Sequence, residues 1–174
     1  MPPKGANLLE YSDEGRDILS KLSSAPLEGF ATHAVDASIS EFMKDATTSV
    51  EKGHLYLLWH LINVEESLED VAENAIIDGG YDEGIDAYLV DHEEKRIRLF
   101  QSKYGISHSI GEIDQFVQDV ERLKEKEQSK LKRDELQYLW KYLNDKRMKV
   151  ELVYITDQFV DDYQNNKVRV MGRN

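Results

Sequence analysis

A chain of 174 residues and 20.1 kDa with 40% hydrophobic and 32% charged residues has the composition of one globular domain, which excludes a disordered polar tract and, given its short apolar runs, a membrane span. The absence of cysteine excludes disulfides and thiolate metal sites. The formal net charge of -12 works against nonspecific attraction to nucleic acid, so any such function needs a local basic patch, a metal or a further domain.

The opening residues "MPPKGANLLEYSDEGRD" carry no apolar stretch behind their single lysine, so a secretory signal is not expected and cytoplasmic residence is. Leu8, Leu9, Ile18, Leu19 and Leu22 recur at loosely helical spacing before the break "SSAPLEG", which predicts helices ahead of the core. From 28 to 64 the apolar residues predict a long or broken helical pair with Gly53 as the interruption. "SLEDVAENAI" predicts a short helix capped by Ser67 with Asp70 as its partner three residues on. Residues 1–53 are thus expected as a helical segment and 54–174 as the body of the domain.

"IDAYLV" and "RIRLFQSKY", separated by the polar "DHEEK", predict a strand hairpin. A helical stretch follows from Gly111 to about Lys146, apolar at Ile113, Phe116, Val117, Val120 and Leu123, charged in the middle, and apolar again at Leu136, Leu139, Trp140 and Leu143. The run "ERLKEKEQSKLKRDE" within it is expected as a solvated helix face. "KVELVYITD" predicts a buried strand and "KVRVMG" another, and the crossover from 103 to 149 makes the third strand parallel to the second. The fold class expected is α/β, a mixed sheet flanked by helices and preceded by N-terminal helices.

A turn of two or four residues sets an antiparallel register in which Val90 faces Ile97, Tyr88 faces Leu99 and Asp86 faces Gln101. Alternation then puts Gln101 and Lys103 on the face of Ile97 and Leu99, with Arg96 and Arg98 opposite. An apolar face ending in an acid, an amide and an amine is costly as structure alone. It suits a hard cation: the Asp86 carboxylate, the Gln101 carboxamide oxygen and the backbone carbonyl of Ser102 are oxygen ligands for Mg²⁺ or Mn²⁺. Lys103 beside them could hold or deprotonate an attacking water and stabilise charge on a phosphate. Asp82 and Asp78 are either turn formers beside glycine or further carboxylate ligands, Asp82 being nearer to Asp86. Tyr104 either stacks a base or packs. The five histidines share no ligand spacing, so zinc is not expected.

Asp86, fourteen residues and then Gln101-Ser102-Lys103 resembles the PD-(D/E)XK nuclease superfamily in its Gln-x-Lys variant. "DGGYDEGIDAYLVDHEEKRIRLFQSKY" is similar to the N-terminal nuclease-like domain of AIPR-type abortive infection phage resistance proteins, over roughly residues 54 to 125. The resemblance implies a restriction-endonuclease-like core and a metal-dependent phosphodiesterase acting on DNA, with RNA second, in bacterial anti-phage defence. The helical glutamate common in that superfamily falls near His60 here, with Glu65, Glu66 and Glu69 following, and Glu66 is the candidate metal ligand among these. The alternative is a non-catalytic nuclease-fold module that binds nucleic acid or a partner protein. A third reading is a structural assembly domain using "LYLLWHLI" as its interface. The mismatch between a phosphate-handling motif and an acidic chain implies that a homo-oligomer, or an additional effector or sensor domain, supplies the missing basic surface.

Overall fold

A computed structural model describes residues 27–77, 79–107, 109–160 and 166–173. The helices expected between Asn7 and Ser23, and Asp78, lie outside these. The residues from Ile39 onward form a compact unit of their own, which carries the sheet and the site discussed below.

Among the described residues the chain runs α1 (Leu27–Phe42), α2 (Ser49–Asn63), α3 (Glu69–Ala75), β1 (Ala87–Asp91), β2 (Arg96–Lys103), α4 (Ile110–Glu125), α5 (Asp134–Leu143), β3 (Lys149–Phe159) and β4 (Val168–Arg173). The four strands make one sheet in the order β1-β2-β3-β4, with β1 antiparallel to β2 and the other pairs parallel. The chain is α/β, with a mixed sheet, as its pattern of elements predicts. The hairpin register also matches: Val90 pairs with Ile97 and Tyr88 with Leu99. The turn that fixes it is closed by the Asp91 carboxylate, which accepts from the Glu94 backbone N–H at 2.9 Å.

Both sheet faces are apolar, so both are covered. Ile97 and Leu99 of β2 join Leu152 and Tyr154 of β3 against Ile113, Phe116, Val120 and Leu123 of α4 and Leu136 and Leu139 of α5. On the opposite face Ala87, Leu89, Phe100, Val153 and Ile155 pack on Tyr56, Leu57, Trp59 and Leu61 of α2 and on Ala72 and Ala75 of α3. The period of two along β2 and β3 and the period near 3.6 along α4 and α5 are what make these layers close. Arg98 leaves the sheet toward the end of α2, where Glu65, its side chain 3% exposed, takes both Arg98 and Arg169. That triad ties β2, β4 and the chain beyond α2 together, with the buried charge compensated on two sides.

Local helix boundaries differ from the sequence reading at three points. α2 runs unbroken through Gly53, and the interruption lies at residues 43–48, where Thr48 caps the new helix and the Glu51 carboxylate reaches back to the Thr48 N–H at 2.9 Å. The N-cap of α3 is Leu68, with no side-chain cap, rather than Ser67. The charged stretch expected as one helix breaks after Glu125, passes through a 3-10 turn at Gln128–Lys130, and restarts at Asp134. Leu131 lies within this interruption and is buried in the core. The carbonyls freed by the break are taken by α5, since Trp140 Nε1 donates to Lys126 O at 2.9 Å and Gln137 Nε2 to Leu131 O at 3.0 Å.

Candidate active site

The site is built where the sheet gives out at the carboxyl end of β2. The Asp86 N–H still donates to Phe100 O at 2.9 Å as a last rung of the hairpin. One step further the ladder is continued by a side chain: Ser102 N–H donates to Asp86 Oδ2 at 2.7 Å. The paired register ends at Ala87 with Phe100, one residue short of the expected pairing of Asp86 with Gln101. The Gln101 carboxamide donates through Nε2 to Gly84 O at 3.1 Å, and the residue is 9% exposed.

The chain ahead of β1 folds to meet this end. Gly84 N–H donates to Asp82 Oδ1 at 2.9 Å, an Asx turn that an aspartate two residues before a glycine favours. Four residues here have positive φ: Gly79 at 93°, Tyr81 at 68°, Glu83 at 58° and Gly84 at 79°. For Tyr81 and Glu83 the left-handed region costs roughly 1–2 kcal/mol each, and outside contacts hold them in it. Lys126 pairs with Glu83, and Lys132 Nζ sits 3.8 Å over the Tyr81 ring. Gly84 is fixed by crowding as well as by its backbone, because a Cβ there would lie 2.7 Å from Asp119 Oδ2.

Between this loop, the end of β2 and the first half of α2 lies a cleft of about 700 Å³. Asp82, Asp86, Ser102 and Lys103 line it together, as do Lys52, His54 and Tyr104. Burial pushes the Asp86 carboxyl up from its ordinary range and the neighbouring Asp82 adds to this, while the Ser102 N–H and the Lys103 ammonium act in the opposite direction. Ser102 Oγ is buried with no hydrogen-bond partner. Tyr104 lines the cleft and also packs on Tyr56, ring centroids 4.8 Å apart.

Of the residues singled out in the sequence, the structure therefore brings Asp82, Asp86, Ser102 and Lys103 to one surface. Gln101 sits behind it, outside the lining of the cleft, holding Gly84. Glu66 is exposed beyond the C-terminus of α2, whereas the N-terminal half of that helix lines the cleft, so Glu66 is not brought in. Glu65 is taken by the two arginines. His60 is buried between the rings of Tyr56 and Trp59, where desolvation lowers its pKa to about 4. Lys52 and His54 were missed; the one signal for them was "TTSVE", the capping box that starts α2 at Ser49 and so gives its first turns to the cleft.

Asp82 and Asp86, which line the cleft together, are the residues that could contribute to holding a small hard cation. Mg²⁺ is commonly held by one or two carboxylates with substrate phosphate completing its shell, and here burial, with Asp82 adding to it, opposes ionisation of Asp86 beside an orphaned hydroxyl. Among the described residues no group of three acidic or histidine side chains is placed to hold an ion without such help. No protein-family model, curated protein or solved structure matches this chain. Among the described residues, no helix is long and apolar enough to cross a membrane.

Proposed function

We propose that the chain is a divalent-metal-dependent nuclease that hydrolyses phosphodiester bonds of DNA, with RNA as the secondary substrate. The supporting observation is the desolvated Asp86, held by the Ser102 N–H and sharing one cleft with Asp82 and Lys103. Asp82 and Asp86 would hold Mg²⁺ or Mn²⁺, which when bound supplies Lewis-acid stabilisation of charge on the phosphate. Lys103 does two things that follow from its place beside Asp86: its ammonium faces the negative phosphate oxygens, and its Nζ positions the water that attacks phosphorus. The attack forms one P–O bond and breaks another, with the water's proton passing to solvent and the leaving oxygen taking one from solvent, which leaves a phosphomonoester and a free hydroxyl. His54 and Lys52 on α2 close the other side of the cleft against the phosphate chain. The setting we assign, bacterial anti-phage defence in the cytoplasm with an effector or sensor partner or a second copy of the chain, rests on the motif resemblance alone.

One observation favours a second reading. With Gln101 held to Gly84 and Glu66 remote, two carboxylates stand where the motif expects more. A nuclease fold that binds nucleic acid or a protein without cutting would tolerate that loss.

The test is cleavage of plasmid, single-stranded DNA and RNA with Mg²⁺ or Mn²⁺ by wild type and Lys103→Ala, alongside calorimetric Mn²⁺ titration of wild type and Asp86→Ala. We expect Lys103→Ala to lose cleavage by about 10²-fold or more while staying folded, and Asp86→Ala to lose Mn²⁺ binding. Cleavage undiminished in Lys103→Ala refutes the catalytic role. A wild type that binds no Mn²⁺ at millimolar concentration moves the assignment to the non-catalytic module.

A further inference from the structure

Gly53 stands in the interior of α2, past the first turn that Thr48 caps, and the helix runs through it unbroken. After proline, glycine is the least favourable residue in such a place, because it loses the most backbone freedom on ordering. The fold shows no need for it. Gly79 and Gly105, which line the same cleft, have positive φ of 93° and 69°, whereas Gly53 has none. Close packing does not demand it either: beyond its chain neighbours and its own helix backbone, no atom of the described residues lies within 4 Å of the place a Cβ would take.

The space left over Gly53 belongs to the cleft of Asp86. Gly53 and His54 precede Leu57 by four and three residues, so the three share one helix face. Leu57 is 3% exposed in the layer packed on the sheet, which turns that face toward the sheet. Alternation agrees from the other side, since Ser102 lies on the same face of β2 as Phe100, a member of that layer. Gly53 accordingly lines the cleft between Lys52 and His54, together with Asp86, Ser102 and Lys103.

A hydrated ion has no use for a helix backbone stripped of one methyl group, but a chain that must lie close across the helix does. The rim adds a second sign. Val50, 81% exposed, and Ile106, 58% exposed, also line the cleft, and they offer apolar surface that an inorganic anion does not use and that sugars and bases do. We infer that Gly53 is a clearance for one strand of nucleic acid, whose sugar–phosphate chain crosses α2 there with a phosphate beside Lys52 and its sugar and base against Val50 and Ile106. This rests on the nucleic-acid reading of the cleft and adds to it a residue that governs which substrates enter.

The experiment compares wild type, Gly53→Ala and Gly53→Leu in the full chain. Both substitutions favour the helix and enter open space, so Gly53→Ala should raise the thermal midpoint by about 2–4 °C. Both should bind Mn²⁺ as wild type does, because Gly53 has no side-chain ligand to lose. Anisotropy of a labelled single-stranded DNA oligonucleotide, with Ca²⁺ as the cation, should show several-fold weaker binding by Gly53→Ala and about tenfold or weaker by Gly53→Leu. A gain in stability with a loss of binding is an outcome that a purely structural glycine does not give. A lowered midpoint in Gly53→Ala, lost Mn²⁺ binding in either variant, a Gly53→Leu protein that binds the strand as wild type does, or no binding by folded wild type each overturns the inference. Failure of the nuclease reading looks different: wild type binds the strand, Gly53→Leu binds it weakly, and neither cuts it with Mg²⁺ or Mn²⁺, an outcome that leaves the clearance at Gly53 supported.

Discussion

Substituting Gln101 separates two roles that its carboxamide could have in the cleft. In the structure Nε2 donates to Gly84 O at 3.1 Å from a side chain that is 9% exposed. Glutamate at this position keeps an oxygen ligand and loses the donor; methionine, of similar length, loses both. If the amide acts by holding Gly84, both variants should lose stability and weaken the site. Each removes one intramolecular hydrogen bond and leaves a shielded carbonyl without a partner, on the order of 1–3 kcal/mol. Glutamate should be the worse of the two, because it adds a carboxylate beside an Asp86 whose ionisation is already opposed by burial and by Asp82. Urea denaturation at pH 7 measures the stability loss, and calorimetric Mn²⁺ titration measures the site. Both variants should weaken Mn²⁺ binding through loss of the Asp82 and Asp86 arrangement. A Gln101→Glu protein that binds Mn²⁺ as tightly as wild type, beside a Gln101→Met protein that does not, would show instead that the oxygen is a ligand and refute the positioning argument.

Three further outcomes follow from the same contacts. Asp86 has a folded pKa raised above its ordinary 3.8, so its ionisation opposes folding: the cost is complete above the raised value and vanishes as pH falls to about the ordinary one. Asp86→Asn should therefore raise the thermal midpoint at pH 7 while Mn²⁺ binding is lost, and a lower midpoint would mean the Ser102 bond outweighs desolvation. His60, neutral and buried with both ring nitrogens unpartnered, has a pKa lowered from 6.5 to about 4, so its contribution is intact above pH 6.5 and drains away as pH falls toward 4. At about 1.36 kcal/mol per pKa unit this is on the order of 3 kcal/mol, and the urea-derived stability difference between His60→Leu and wild type should swing toward the variant by that much across the window; a flat difference refutes it. Gly84→Ala meets both a φ of +79° and an Asp119 oxygen at 2.7 Å, and should cost about 2 kcal/mol; adding Asp119→Ala should recover only part in a double-mutant cycle, and full recovery would show that the backbone angle costs nothing.

The sheet was legible because its information is local and periodic. Alternation in "IDAYLV" and "RIRLFQ" and a short polar turn determine which residues pair, and a long crossover holding α4 and α5 leaves β3 parallel to β2. The helix ends were less so. Ser67 has the chemistry of a cap, but the chain leaves α2 through a positive φ at Glu66 and starts α3 from Leu68. In "ERLKEKEQSKLKRDE" both apolar residues, Leu123 and Leu131, reach the core, on either side of a break that the charged residues between them do not announce. In the site, the convergence of Asp86 and Lys103 was readable from the hairpin alone, whereas Lys52 and His54 depend on where α2 is laid across the sheet. The direction of the Gln101 amide was not readable either: one end of a carboxamide donates and the other accepts, and only the neighbouring Gly84 carbonyl selects between them.

The places where this chain departs from good local structure coincide. Tyr81 and Glu83 hold left-handed backbone on either side of Asp82, Asp86 is desolvated beside that second carboxylate, and Ser102 Oγ is buried without a partner, with Asp82, Asp86 and Ser102 lining one cleft. Nothing in packing requires them, since both faces of the sheet are already closed by the two helical layers. Each is individually destabilising, and together they demand contacts such as Lys126 on Glu83 and Lys132 over Tyr81 to keep the loop in place. Strain that surrounding structure over-determines is the expected mark of a preorganised site. Its sign is informative too: a phosphate entering beside Asp82 and Asp86 meets like charge, with only Lys103, Lys52 and His54 to offset it, so a cation between carboxylates and phosphate turns the main repulsion of the cleft into its main attraction. Under the proposed nuclease reading, that cation is what would let an acidic chain act on an acidic polymer at that end of the sheet.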